Sequence, residues 1–180
     1  MLRGDPRRPE KASLRRGGAA GELRSMTLAL TPAGPDDIPA LCELLSWLFE
    51  QEEEMSADPE RQRRGLEAIL QEPARGRIWV AREAEAVVGM VSLLFVPSTA
   101  LGGEAALLED FVVRPDRRGE GLGAALLGRA LEDARAAGCL RVTLLTDADN
   151  AAAKRLYRRF GFVDSPMRPL RLVFGASVSP

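Results

Sequence analysis

The sequence predicts one α/β domain built on a mixed sheet, and three observations carry that reading. Short apolar, β-branched runs alternate with helix-spaced stretches in the order β-α-α-β-β-β-α-β-α-β-β. One run, Leu107–Val113, passes through a glycine-rich turn into an alanine- and leucine-rich helix and then into a second buried run, Leu140–Leu145. That succession is a right-handed βαβ crossover. Finally, 180 residues, 46% of them hydrophobic and 28% charged, suffice for one full core, with no internal repeat and no linker after Ser25.

Met1–Ser25 is rich in Arg, Gly and Pro and nearly devoid of large apolar side chains. It cannot bury enough surface to offset its ordering entropy, so residues 1–25 are expected to form a disordered basic tail ahead of a domain over 26–176. It reads either as an over-extended start before Met26 or as a basic arm; no apolar h-region marks a signal peptide. Met26–Thr31 is a short strand. Pro35-Asp36-Asp37 opens a helix whose Ile38, Leu41, Leu44, Leu45, Leu48 and Phe49 fall at helical spacing. An acidic run, Glu50 and Glu52-Glu53-Glu54, leads to Asp58-Pro59, an N-cap with proline in the first helical position, and Leu66, Ile69 and Leu70 give that second helix a buried face.

Arg77–Arg82 and Val87–Val96 read as strands joined by the polar turn Glu83–Ala86, and Ser98–Gly103 as a loop before the strand that ends at Val113. The crossover helix spans Leu122–Ala137 and stops at Gly138. Asn150 caps a short helix, Ala151–Arg159, which Gly161 ends, and Phe162-Val163 and Leu170–Phe174 read as final strands.

Composition removes several functions. Net charge is −1, and because the tail holds seven of the 25 basic residues and three of the 26 acids, the body carries 18 basic against 23 acidic residues; nothing there favours nucleic acid. No apolar run reaches membrane-spanning length. Cys42 and Cys139 lack metal-ligand spacing and read as small apolar residues of a reducing, cytoplasmic compartment. The chain has no histidine, so a Ser-His-Asp triad, a His-paired cysteine and the usual zinc sites are absent, and any base must be a carboxylate, an amine or a water.

The chemistry is concentrated in Arg117-Arg118-Gly119-Glu120-Gly121-Leu122-Gly123. A glycine loop opening a helix offers several bare N–H groups at the positive end of the helix dipole, a site for phosphate or pyrophosphate, and the arginines add charge-assisted donors. An ordinary turn is the structural alternative, although three alternating glycines at a helix start each cost helix propensity. A P-loop would need Lys-Ser/Thr where Gly123 is followed by Ala124-Ala125. A Rossmann fingerprint would set its glycines tight against the strand, whereas Arg114-Pro115-Asp116 intervene here; Asp147 after the next strand is the one feature that suits it.

With that loop and with Asn150, Tyr157 and Phe160-Gly161-Phe162, the chain resembles the GNAT superfamily of acyl-CoA-dependent N-acetyltransferases. Arg118, Gly121 and Gly123 match the family's Arg/Gln-x-x-Gly-x-Gly/Ala pattern, and Leu108–Val113 is similar to the corresponding strand of its polyamine and diamine acetyltransferases. The resemblance implies a mostly antiparallel twisted sheet with helices on both faces. It also implies acetyl-CoA as cosubstrate, no metal, an amine acceptor, and the homodimers the family often forms.

By the same resemblance, the pyrophosphate rests on Arg118, Gly119, Glu120, Gly121, Leu122, Gly123 and Ala124, with Arg117 alongside. The pantetheine arm runs beside Phe111, Val112 and Val113, where the strand parts from Leu140–Leu145; a bulge near Asp110–Val112 would open that gap. Glu109 takes the role of base, with a salt-bridged strand acid as the alternative. Alternation turns Asp110 to the other face. The Val112 N–H is the expected oxyanion donor. Asn150 and Tyr157 share a helix face two turns apart, Asn150 as cofactor contact or helix cap, Tyr157 as cofactor contact and general acid or as packing.

The acceptor is expected between the Ala40–Leu70 helices, the Ser98–Gly103 loop and the C-terminal strands. The acidic run there either draws a cationic amine or is a solvated helix end, and Trp47 and Trp79 either line the pocket or belong to the core. A non-catalytic acyl-CoA-binding sensor is the alternative to an enzyme.

Overall fold

The computed structural model describes residues 28–50, 57–172 and 174. The expected tail over residues 1–25 and most of the acidic run after Glu50 lie outside the described residues. The elements are β1 (Leu28–Pro32), α1 (Ile38–Phe49, entered through a 3-10 turn at Pro35–Asp37), α2 (Pro59–Gln71), β2 (Gly76–Glu83), β3 (Ala86–Ser98), β4 (Gly103–Val113), α3 (Leu122–Ala136), β5 (Arg141–Leu144) and α4 (Ala151–Arg159).

The sheet runs β1-β2-β3-β4-β5. Its first four strands are antiparallel and β5 is parallel to β4, so the α/β class, the mixed sheet and the single crossover through α3 are as the sequence predicts.

Each face of the sheet carries its own core. On one, Trp79, Ala81, Val91, Leu93, Ala106 and Leu108 pack under Leu126, Leu127 and Ala130 of α3, with Tyr157 of α4 at the margin. On the other, Ile78, Val80, Met90 and Val112 pack under Leu41, Leu44 and Leu45 of α1 and Leu66 of α2. Successive strand residues thus serve opposite layers, as the two-residue period requires. The termini follow from local chemistry. Asp58 accepts the N–H groups of Glu60 and Arg61 at 3.1 Å to start α2, and Gly138, at φ +83°, turns the chain out of α3.

Two expectations need correction. β4 begins at Gly103, earlier than apolar patterning indicated, because Ser98 and Gly103 already pair across a tight turn. The strands expected at Phe162-Val163 and Leu170–Phe174 are not formed by any of their described residues, residue 173 lying outside these. Described residues from 162 onward have no strand structure, and Leu170 is 98% exposed. Their alternation suits a strand, but a strand exists only when its main chain is paired.

Candidate active site

β4 and β5 pair from Ala105/Arg141 to Leu108/Leu144, yet β4 continues to Val113. β5 ends at Leu144, so beyond Leu108 the pairing stops and one edge of β4 is left without a strand beside it among the described residues. At the other edge the register shifts. Val91 pairs with Phe111 but Leu93 with Leu108, so Ser92 alone faces both Glu109 and Asp110. That is a β-bulge, and it bends β4 away from its straight course.

Ser92, fully buried, fixes the bulge: its hydroxyl accepts the Asp110 N–H at 3.0 Å and donates to Asp110 Oδ2 at 3.2 Å. Simple alternation across Glu109 and Asp110 therefore fails. Leu108 and Phe111 both serve the α3 layer, so the two acids between them lie toward the α1–α2 side. Glu109 is exposed and makes no hydrogen bond among the described residues, which does not match a salt-bridged strand acid.

The register also settles which main-chain groups face the opening. Arg114 N–H bonds to Val88 O at 2.9 Å, so Val112, two residues earlier and opposite Met90, directs its N–H and C=O at β3 as well. Phe111 and Val113 point the other way. The Val113 carbonyl accepts from Arg118 Nε at 3.1 Å on that side. Val112, expected as oxyanion donor, is thus committed to the sheet, and the amide facing the gap is that of Phe111.

Between β4 and α3 a 3-10 turn, Pro115–Arg117, leads into the glycine loop. Gly119 and Gly121 sit at φ +85° and +86°, where L side chains are strained. The first α3 bond runs from Ala125 N–H to Gly121 O, which leaves the N–H groups of Leu122, Gly123 and Ala124 without partners inside the helix. This first turn packs near Phe111 and Leu156, where even a Cβ at Gly123 would meet them only at ordinary contact distances of 3.5 and 3.7 Å.

Arg117 does not point into this loop as a free cation. Its guanidinium donates to Glu83 of β2, which is almost fully buried, and to Glu120 at 2.7 Å. The Arg117 hydrogen bond holds the Glu120 carboxyl below its usual range, and Glu120 first, then Glu83, raises Arg117. Both side chains thereby fasten the loop to the β2–β3 hairpin.

α4 closes the far side of the opening. Asn150 Oδ1 accepts the Ala153 N–H at 3.0 Å, so it is a helix cap. Tyr157 lies 8% exposed between Phe111 and Phe162, with ring centroids 6.2 and 5.8 Å away. Its hydroxyl has no hydrogen bond among the described residues, and burial alone raises its pKa. A neutral phenol therefore borders the open edge of β4.

Trp79 is core. Trp47 instead lines a cleft of about 280 Å³ with Asp36, Asp37, Glu43, Arg82 and Arg114. That cleft lies beside the β2–β3 turn, where Glu85, Ala86 and Val87 line it, and neither Glu109 nor Tyr157 does. Two positioning residues escaped the sequence reading. Ser92 had a signal, as the lone hydroxyl in the apolar run Val87–Val96; Glu83 had none, being indistinguishable from a turn acid.

Among the described residues there is no group of three or more His, Cys, Asp or Glu side chains placed to hold a metal ion, and no helix long and apolar enough to cross a membrane. Comparison with known proteins agrees with the geometry. The family model described as Acetyltransferase (GNAT) family matches residues 38–162. A glucosamine 6-phosphate N-acetyltransferase of Trypanosoma brucei brucei is 39% identical over 79 residues, 42% of this chain and 50% of that protein. A mycothiol acetyltransferase of Saccharopolyspora erythraea is 46% identical over 50 residues, 28% of this chain and 16% of that one. The chain therefore spans half or less of the curated relatives it matches. A solved putative acetyltransferase from Agrobacterium tumefaciens superposes with a TM-score of 0.69 at 32% identity, covering 80% of this chain and 99% of its own.

Proposed function

The chain belongs to the acetyltransferase (GNAT) family, and from that premise we propose that it transfers an acetyl group from acetyl-CoA to a primary amine by direct attack in a ternary complex. The observation that carries the reading is the end of β4–β5 pairing at Leu108/Leu144 while β4 runs on to Val113, directly before a helix whose first N–H groups lack partners inside the helix. These features fit acetyl-CoA in its two halves. Diphosphate suits the N–H groups of Leu122, Gly123 and Ala124, with open space beside Gly119 and Gly121 and the Glu120 carboxylate held by Arg117. An amide-bearing arm suits the open edge at Phe111 and Val113, as an added strand would.

Acetyl-CoA supplies, when bound, an activated thioester. The chain's own groups then divide the work. Glu109 takes a proton from the incoming ammonium, directly or through water. The Phe111 N–H donates to the thioester oxygen as charge gathers there. Tyr157, a phenol whose proton burial holds more tightly, gives that proton to the departing sulfur. Arg117, Glu120, Glu83 and Ser92 keep the loop and the bulge in place, and Asn150 fixes the start of α4.

The amine is inferred from the site's charge. Glu109 and Asp110 stand at the bulge on the α1–α2 side, so a cationic acceptor, such as a polyamine, a diamine or an amino-acid-like amine, enters from that face. The test is thiol release from acetyl-CoA across an amine panel, alongside calorimetric binding of CoA. Amine-dependent release that Glu109→Gln suppresses is expected; tight CoA binding with no release for any amine would instead make the domain an acyl-CoA sensor.

A further inference from the structure

We propose that the Glu120 carboxylate limits how tightly the glycine loop holds a diphosphate: it occupies Arg117 in the free protein, repels the incoming anion, and so raises the rate at which CoA leaves. This rests on the acetyl-CoA reading above and adds to it a residue that opposes binding. From Arg114 to Gly123 the chain carries three cations, Arg114, Arg117 and Arg118, and two acids, Asp116 and Glu120. Arg114 is paired with Asp116 at 2.5 Å. Arg117 takes the almost fully buried Glu83 of β2 as well as Glu120. Three carboxylates thus stand against three guanidinium groups, and their charges cancel where a dianion is expected to bind.

Of the three acids, Glu120 stands closest along the chain to the start of α3. It lies two residues before Leu122, the first of the N–H groups without a partner inside the helix, so the two Cα atoms are at most about 7 Å apart. Its carboxylate accepts from Arg117 Nη2 at 2.7 Å and from Nε at 3.2 Å. Glu83 uses Nη1 and Nη2 and leaves Nε to Glu120. A phosphate oxygen arriving beside Leu122 must therefore compete for that donor with a group of its own sign. Fold stability does not account for the pair. Glu83 already anchors Arg117 from a buried position, whereas Glu120 is 49% exposed, and an exposed pair three residues apart adds little. Its effect on an anion is larger: at about 7 Å in salted water, one carboxylate weakens the binding of a dianion about three- to tenfold. Acetyl-CoA and CoA share the diphosphate, so the repulsion weakens both equally, raising KM for the first and hastening departure of the second.

Glu120→Gln removes the charge but keeps an oxygen that can accept from Arg117, so the loop should stay clamped and the free protein should melt as the wild type does. Calorimetry at low ionic strength should show CoA and acetyl-CoA each bound about three- to tenfold more tightly than by wild type, by one common factor. Stopped-flow displacement should show CoA leaving more slowly by a similar factor, and the gain should fade as salt is raised. Unchanged or weaker CoA binding by Glu120→Gln would make Glu120 a clamp alone and overturn the proposal. A gain that salt leaves intact, or one confined to a single ligand, would overturn it equally. CoA binding absent from both wild type and variant would bring down the acetyl-CoA reading as well, whereas a wild type that binds CoA as tightly as the variant sinks only the role given to Glu120.

Discussion

Tyr157 is the single tyrosine of the chain, so its ionisation can be followed directly by tyrosinate absorbance. Burial alone raises its pKa, and the inflection is expected above the ordinary phenol value of about 10. The folded chain holds this proton more tightly than the unfolded chain. The stability tied to it is therefore complete below about pH 10 and is lost as pH climbs through the raised folded value. Tyr157→Phe should abolish the absorbance change and flatten that alkaline loss in melting experiments. It should also lower kcat about 10²-fold with CoA affinity retained, since only a proton donor is removed. The two neighbouring acids separate in the same manner. Glu109→Gln should cost about 10²-fold in kcat, whereas Asp110→Asn, whose amide oxygen can still accept from Ser92, should cost under about 10-fold. Equal losses would assign the base to the pair.

Glycines in two elements make opposite predictions from the same physics. Gly121 precedes α3 at φ +86°, a conformation that costs an L residue about 1–2 kcal/mol. Gly121→Ala should lower the melting temperature of the free protein and weaken CoA binding about tenfold or more as the loop rearranges. Gly65 lies exposed within α2 with open space around it, so Gly65→Ala should stabilise the fold by about 0.5–1 kcal/mol and leave CoA binding unchanged. Elements of this kind were legible in the sequence because their signals are local: Asp58-Pro59 opening α2, Gly138 closing α3, Asn150 capping α4. What escaped depends on partners. Whether Glu109 and Asp110 share a side turns on Ser92 opposing both across β3, and alternation along one strand cannot reveal that register. The choice of Phe111 over Val112 at the gap follows from the same register, and the two-residue pattern at Leu170 and Leu172 shows that alternation alone does not make a strand. The loop, the crossover and the Tyr157 helix were readable because glycine chemistry and helix spacing carry them.

Among the described residues the molecule is one sheet with a helical layer on each side: α3 and α4 on the side of the proposed CoA groove, α1 and α2 on the side of the proposed acceptor. The layers are not independent, because β2 and β3 alternate between them, Ile78 and Val80 facing one, Trp79 and Ala81 the other. Removing packing from either side should therefore weaken both. Leu126→Ala and Leu41→Ala, each fully buried in a different layer, should cost about 2–5 kcal/mol apiece and lower a single shared transition. The two tryptophans allow that to be checked, since Trp79 belongs to the α3 layer and Trp47 packs against the α1 layer. In Trp47→Phe the remaining fluorescence reports one side, and in Trp79→Phe the other. Denaturant curves from the two variants, each corrected for its own substitution, should respond to Leu126→Ala by the same shift in midpoint. A shift confined to the Trp79 signal would mean that the α3 layer opens separately from the α1 layer, and the alternating strands would then not be what couples them.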